Sequence, residues 1–129
     1  MTERLPYASS FKGLLAYEKA VQLTELIYGE SKSFPKEEVY SLTEQIRRSS
    51  RSIGAQIAEA WGKRKYKKHF ILLLTGASAE INETEHWLDM AFKCNYMTLQ
   101  TRNDLVKLCQ RIHGLVGGMI SKADQFCQN

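Results

Sequence analysis

Two spacings in this chain have the residue types for catalysis. Arg64 and His69, with Lys65-Tyr66-Lys67-Lys68 between them, would let an imidazole act as base beside an arginine that stabilises phosphoryl charge. Such a pair ordinarily has Asn or Asp directly after the arginine, and Lys65 stands there instead. Glu83 and His86 have the Glu-x-x-His spacing of di-iron bundles, which need that motif twice and further glutamates besides. The second copy is missing, because the residue three before His113 is Gln110. There is no glycine-rich phosphate loop, and no Ser-His-Asp or Cys-His pairing can be argued from spacing. Cys94, Cys109 and Cys127 are an odd, widely spaced set without paired zinc ligands, and read as structural thiols. The expectation is a protein that is not an enzyme and takes no cofactor or metal.

What stands out instead is charge. Between Gln45 and Lys68 there are eight Lys or Arg against one acid, Glu59, a local net of +7 in a chain whose total is +4. Residues 1 to 68 carry +5 and residues 69 to 129 carry −1, an asymmetry that points to a basic face. Arg47, Arg51, Lys63, Arg64, Lys65, Lys67 and Lys68 are the candidate nucleic-acid contacts, with RNA or DNA as partner. Nothing resembles a base-reading module, so binding should follow backbone and shape and should weaken with salt. The plainer reading is a hinge kept basic to stay solvated.

A length of 129 residues fits one domain, residues 1–129, behind a short polar lead to about residue 12. Hydrophobic residues make up 43% and charged residues 25%, which is ordinary globular composition and disfavours disorder. The longest apolar run, Phe70 to Leu74, is far below the roughly 18 residues of a spanning helix, so no membrane role is expected. The first residues lack the basic-then-apolar order of a signal peptide, which predicts a cytoplasmic location.

Four helices must position the basic segment. Only Pro6 and Pro35 interrupt the chain, and no stretch alternates apolar and polar residues with period two. Leu14, Tyr17, Val21, Thr24 and Tyr28, widened by Leu15, Leu23 and Ile27, mark the buried stripe of a first helix. Pro35, followed by Glu37 and Glu38, suits the first turn of a second. That helix buries Val39, Leu42, Ile46, Ser49, Ile53, Ile57 and Ala60 and continues through Gly54, which would permit a bend. The third repeats Phe70, Leu74, Ala77, Ile81, Thr84, Leu88 and Ala91 and ends near Asn95. Thr98 is a suitable N-cap for the fourth, which carries two stripes: Leu105, Leu108, Ile112, Leu115 and Met119, and beside them Val106, Cys109, Val116, Ile120 and Ala123. Two stripes mean either a helix at the centre of the bundle or a surface for self-association. Gly114, Gly117 and Gly118 would permit close backbone approach. Short linkers make sequential helices antiparallel neighbours, an all-α up-down four-helix bundle.

An antiparallel pairing of the second and third helices about Arg64 sets Arg48 opposite Glu80, Gln45 opposite Glu83 and Glu59 opposite His69. Gln45, Arg48, Glu59, Glu80, Glu83 and His86 are therefore expected to form a structural polar network, with Arg48 in a partly buried ion pair. Ordinary surface charge is the alternative.

Phe34-Pro35-Lys36-Glu37-Glu38, then Leu42 with Gln45-Ile46-Arg47-Arg48, then Ser52-Ile53 with Ile57-Ala58-Glu59, resembles the four-helix bundle proteins encoded by intervening sequences in large-subunit ribosomal RNA genes. Glu83 to Leu88 with Cys94-Asn95-Tyr96 is similar to one branch of that family. The resemblance spans roughly residues 14 to 97. Gly54 and Gln56 replace the proline and asparagine of the common pattern, and Ala60 replaces a glycine, which predicts a straighter second helix. The resemblance implies an up-down bundle assembling into a ring, typically a homopentamer, with no catalytic residues to carry over. A related bundle family serves as the nucleic-acid-binding accessory subunit of reverse transcriptases in diversity-generating retroelements. A purely structural assembly, or an adaptor binding another protein through the ring surface, is the competing expectation, and Trp61, Trp87 and Phe92 would suit it.

Overall fold

Small residues set how the first helix packs. In the computed structural model, which describes residues 8–127, α1 (Leu15–Ser31) turns Ala16, Ala20, Leu23, Ile27 and Ser31 inward, next to a fully buried Leu14. The expected stripe is rotated: Val21 and Tyr28 are exposed and Tyr17 is half-buried. Two alanines let the neighbouring helices close on this side, and the larger residues move to the flanks. Part of the polar lead lies outside the described residues. The rest is not shapeless, since Phe11–Gly13 forms a 3-10 turn in which the Ser10 hydroxyl accepts from the Lys12 amide at 3.2 Å.

Pro35 does not open the second helix. Its backbone is extended (φ −57°, ψ 146°), Lys36–Glu38 form a separate 3-10 turn, and α2 (Leu42–Gly62) begins only after Ser41. Val39 accordingly faces solvent. Glu38 reaches forward as a side-chain cap, its Oε1 accepting from the Leu42 amide at 3.2 Å, which satisfies one of the orphan donors at the helix start. From Leu42 the stripe Leu42, Ile46, Ser49, Ile53, Ile57 and Ala60 is buried throughout. α2 runs through Gly54 without interruption; that glycine is buried, and a Cβ built there would stand 3.6 Å from Tyr17 and 3.7 Å from Ala20 of α1.

Lys67–Lys93 form α3, whose buried side chains are Phe70, Leu74, Ala77, Ile81, Thr84, Leu88 and Ala91, the full seven-residue repeat. It ends where Asn95 takes φ 64° and the Tyr96 amide donates to the Ala91 carbonyl at 2.9 Å, a left-handed stop that asparagine tolerates better than most residues. α4 (Leu99–Ser121) is capped by Thr98, whose hydroxyl accepts from the Thr101 amide at 3.1 Å. Its core face blends the two expected stripes: Leu105, Val106, Cys109, Ile112, Val116 and Met119 are buried, while Leu108, Leu115 and Ile120 are half-buried. No atom outside the local helix backbone would lie within 4 Å of a Cβ at Gly114, Gly117 or Gly118, so no described helix of this chain uses the close approach they allow. The chain turns at Lys122 into a single helical turn, α5 (Ala123–Phe126), which lays Phe126 on Phe70 with ring centres 5.6 Å apart.

The result is an antiparallel up-down four-helix bundle. α2 packs most extensively on α3, α1 packs on α2 and α4, and α3 packs on α4; among the described residues the diagonal pairs do not meet. Among those residues, too, no helix is long and apolar enough to cross a membrane.

Candidate nucleic-acid interface

The basic segment is split by the fold. At about 1.5 Å of rise per residue, Arg47 and Gly62 stand roughly 22 Å apart along α2, so the arginines and the lysine-rich turn occupy different parts of the molecule. At the turn, Lys63-Arg64-Lys65-Tyr66 link α2 to α3, and Lys67 and Lys68 begin α3. No acidic residue lies between Glu59 and Glu80.

Two of the turn's cations are occupied. Arg64 donates from Nε to the Trp61 carbonyl at 2.8 Å, and its guanidinium lies 3.6 Å from the centre of the Trp61 ring. Lys67 pairs with Asp124 of α5 at 2.5 Å, and that hydrogen bond, with the carboxylate's charge, raises the lysine above its ordinary value. Lys63, Lys65 and Lys68 are exposed and form no ion pair among the described residues. Tyr66 is also exposed, with His69 edge-on to it at 6.0 Å. Arg64 and His69 are thus turned to different rings.

The other cluster lies across the α1–α2 seam. Arg47 donates from Nε to the Ser31 hydroxyl at 2.8 Å. Its guanidinium lies 4.6 Å from the centre of the Tyr28 ring, with that of Arg51 at 5.7 Å and the Lys32 ammonium at 5.0 Å. The charge of these cations falls on one aromatic ring. Charge along the sequence singles out Arg47 and Arg51 but not Lys32 or Tyr28, because the apolar spacing of the first helix assigns Tyr28 to the core.

Arg48, which also borders the outer face of α2, pairs with α3. Its Nη2 donates to Glu83 Oε2 at 2.5 Å, and Nη1 lies 3.7 Å from Glu80 Oε2. Trp87 donates from Nε1 to the same Glu83 oxygen at 3.1 Å. The Trp87 and Arg48 hydrogen bonds hold Glu83 below the usual carboxylate range, and Glu83 in turn raises Arg48. Arg48 keeps 47% of its side chain exposed, so it is less buried than expected. Gln45 forms no side-chain hydrogen bond in this network, and Glu59 and His69 are both exposed without bonding each other. His86 is exposed and packs edge-on against Trp87 at 4.7 Å. Among the described residues no three His, Cys, Asp or Glu side chains gather as a metal site would require.

Two links between α2 and its neighbours have no counterpart in the sequence pattern. Thr24 donates to the Ser50 carbonyl at 3.1 Å, tying α1 to α2, and the hydroxyls of Thr84 and Ser49 are 2.9 Å apart between α2 and α3. Farther off, Arg102 donates from Nε to Asp89 Oδ1 at 2.8 Å, joining α4 to α3.

Comparison with known proteins follows the same architecture. Residues 12–118 match the family model described as 23S rRNA-intervening sequence protein. A solved structure from Bacteroides thetaiotaomicron, described as a protein with unknown function from the S23 ribosomal protein family, is 29% identical and superimposes with a TM-score of 0.75. That similarity covers 83% of this chain and 96% of the other. No curated protein matches the chain.

Proposed function

Because the chain belongs to the 23S rRNA-intervening sequence protein family, whose matched description carries no activity, we propose from its own surface that it is a non-enzymatic nucleic-acid-binding protein. The α2–α3 turn is the contact. One observation carries this reading: Lys63, Lys65 and Lys68 stand exposed, with no ion pair among the described residues, at one end of the bundle beside Tyr66, in a stretch with no acid of its own. Exposed cations of this kind release counterions when they meet phosphates, and that release supplies most sequence-independent affinity. Trp61 and Asp124 hold Arg64 and Lys67, which leaves the three lysines as the principal contacts. Assembly of several copies into a ring, as in the resemblance above, would repeat a modest patch into a belt and raise affinity by avidity.

The test is binding of labelled RNA to the purified chain across a salt series. The triple variant Lys63→Gln, Lys65→Gln, Lys68→Gln should bind more weakly and show a shallower dependence of log affinity on log salt, by about 0.7 to 0.9 for each phosphate no longer neutralised. Equal slopes for the two proteins would remove the turn from the interface.

A further inference from the structure

The second basic cluster has a form of its own. The outer face of α2 and the segment before it make a groove of about 570 Å³, lined by Val39, Tyr40, Thr43, Arg47, Arg51 and Ala55 among others. Tyr40 is 89% exposed, the most exposed large hydrophobic side chain among the described residues. Thr43 is the opposite case: it is 4% exposed, and its hydroxyl has no hydrogen-bond partner among the described residues. That oxygen is itself closed off from solvent, so what the groove offers a ligand is the Tyr40 ring and the arginines. Arg47, Arg51 and the adjacent Lys32 form no ion pair among the described residues. Of the three cations on Tyr28, Arg47 and Arg51 also line the groove; they repel each other, and an anion seated there would relieve that repulsion.

We propose that this groove holds an unpaired nucleic-acid strand, with a base stacked on Tyr40 and its phosphates on Arg47 and Arg51. The inference rests on the nucleic-acid reading above and specifies the strand state. Stacking accepts any base, since every base has a π-face, and it requires that the base be free of a duplex. Arginines already oriented by Ser31 and Tyr28 lose little freedom when they grip phosphate. A second copy docking face to face is disfavoured, because a two-fold contact would set these arginines against one another, and a head-to-tail ring contact on this face is the outcome that native mass reports. Glu44, also on the groove, restricts where the phosphates can run.

Labelled oligouridylate and an RNA hairpin duplex are the probes, with Tyr40→Ala, Tyr40→Phe and Arg51→Gln as variants and thermal melting as the check on folding. Oligouridylate should lose about tenfold in affinity with Tyr40→Ala and keep it with Tyr40→Phe, while duplex binding stays unchanged. Arg51→Gln should flatten the oligouridylate salt slope by just under one. Four results would overturn the proposal: equal affinity of Tyr40→Ala and the parent for oligouridylate; equal loss on the duplex; displacement of the strand by inorganic pyrophosphate at the same concentration in parent and Tyr40→Ala; or a fall in native mass with Tyr40→Ala, which would mean that a second copy covers the tyrosine. The lysine variant of the turn separates the two readings, because a Tyr40 effect that persists when that variant binds normally leaves the groove standing and removes the turn.

Discussion

Ser49 of α2 and Thr84 of α3 meet hydroxyl to hydroxyl at 2.9 Å, where neither side chain reaches solvent. Both lie within otherwise apolar stripes, and Thr84 also donates to the Glu80 carbonyl at 2.9 Å. The pair fixes one register between two helices whose aliphatic residues would accept others. Thr84→Val keeps the shape and removes the partner, and it should cost about 1 to 3 kcal/mol in denaturant unfolding. The double variant Ser49→Ala, Thr84→Val should recover part of that loss, because no hydroxyl is then left without its partner.

Gly54 sits under Tyr17 and Ala20 with room for one methyl group at ordinary contact distance. Gly54→Ala should therefore stabilise the protein by about 1 kcal/mol, the helix-propensity difference, with little packing cost. Gly54→Leu should destabilise it, since the larger side chain must push α1 away from α2. Thermal melts of the two variants should bracket the parent.

Tyr96 donates to Glu38 Oε2 at 2.7 Å, and that bond pushes the phenol up from 10.0 to about 12. A folded-state value above the unfolded one means the contribution is complete below pH 10 and is lost as pH rises toward 12. The parent should lose stability across that window, and Tyr96→Phe should lose less there while being weaker at neutral pH. Urea midpoints measured along an alkaline series give the comparison.

Glu83 behaves in the opposite sense. Its folded value lies below the ordinary 4.5, held there by Trp87 and Arg48, so its contribution is present above 4.5 and disappears as pH falls through the lowered value. Glu83→Gln should flatten the acid limb of the stability profile by less than about 1 kcal/mol, given the partial exposure of the pair. An unchanged limb would place the acid sensitivity elsewhere.

Cysteine reactivity reports on packing. Cys109 is fully buried, and burial raises its thiol to about 12, whereas Cys94 is exposed. A thiol reagent at neutral pH should modify Cys94 in the folded protein and reach Cys109 only after unfolding. Mass spectrometry of the modified peptides separates the sites.

Much of this architecture can be read from apolar spacing, and the departures have specific causes. The α3 repeat holds over its whole length, because seven inward residues recur without a break and a left-handed Asn95 closes the helix. The start of α2 shifts because Glu37 and Glu38, behind an extended Pro35, do belong to a helical turn, but a 3-10 one whose last glutamate caps the true helix four residues on. The α1 face rotates because alanines bury as readily as larger residues while contributing little to a hydrophobic pattern. The convergence of Lys32, Arg47 and Arg51 on Tyr28 depends on how α1 lies against α2, which no single-helix pattern contains.

The open glycines of α4 affect how the bundle breathes. Gly114, Gly117 and Gly118 each weaken the helix by about 1 kcal/mol relative to alanine, and no described atom outside the local helix backbone lies within 4 Å of where their Cβ atoms would stand. The last two turns of α4 are therefore the cheapest long-helix segment to unwind, and amide hydrogen exchange should be fastest there among the core-forming helices. Because α5 follows directly, each such opening would free Asp124 from Lys67 and lift Phe126 from Phe70. Local unwinding at one edge of the bundle thus adds to the occasions on which a fourth lysine joins the exposed turn.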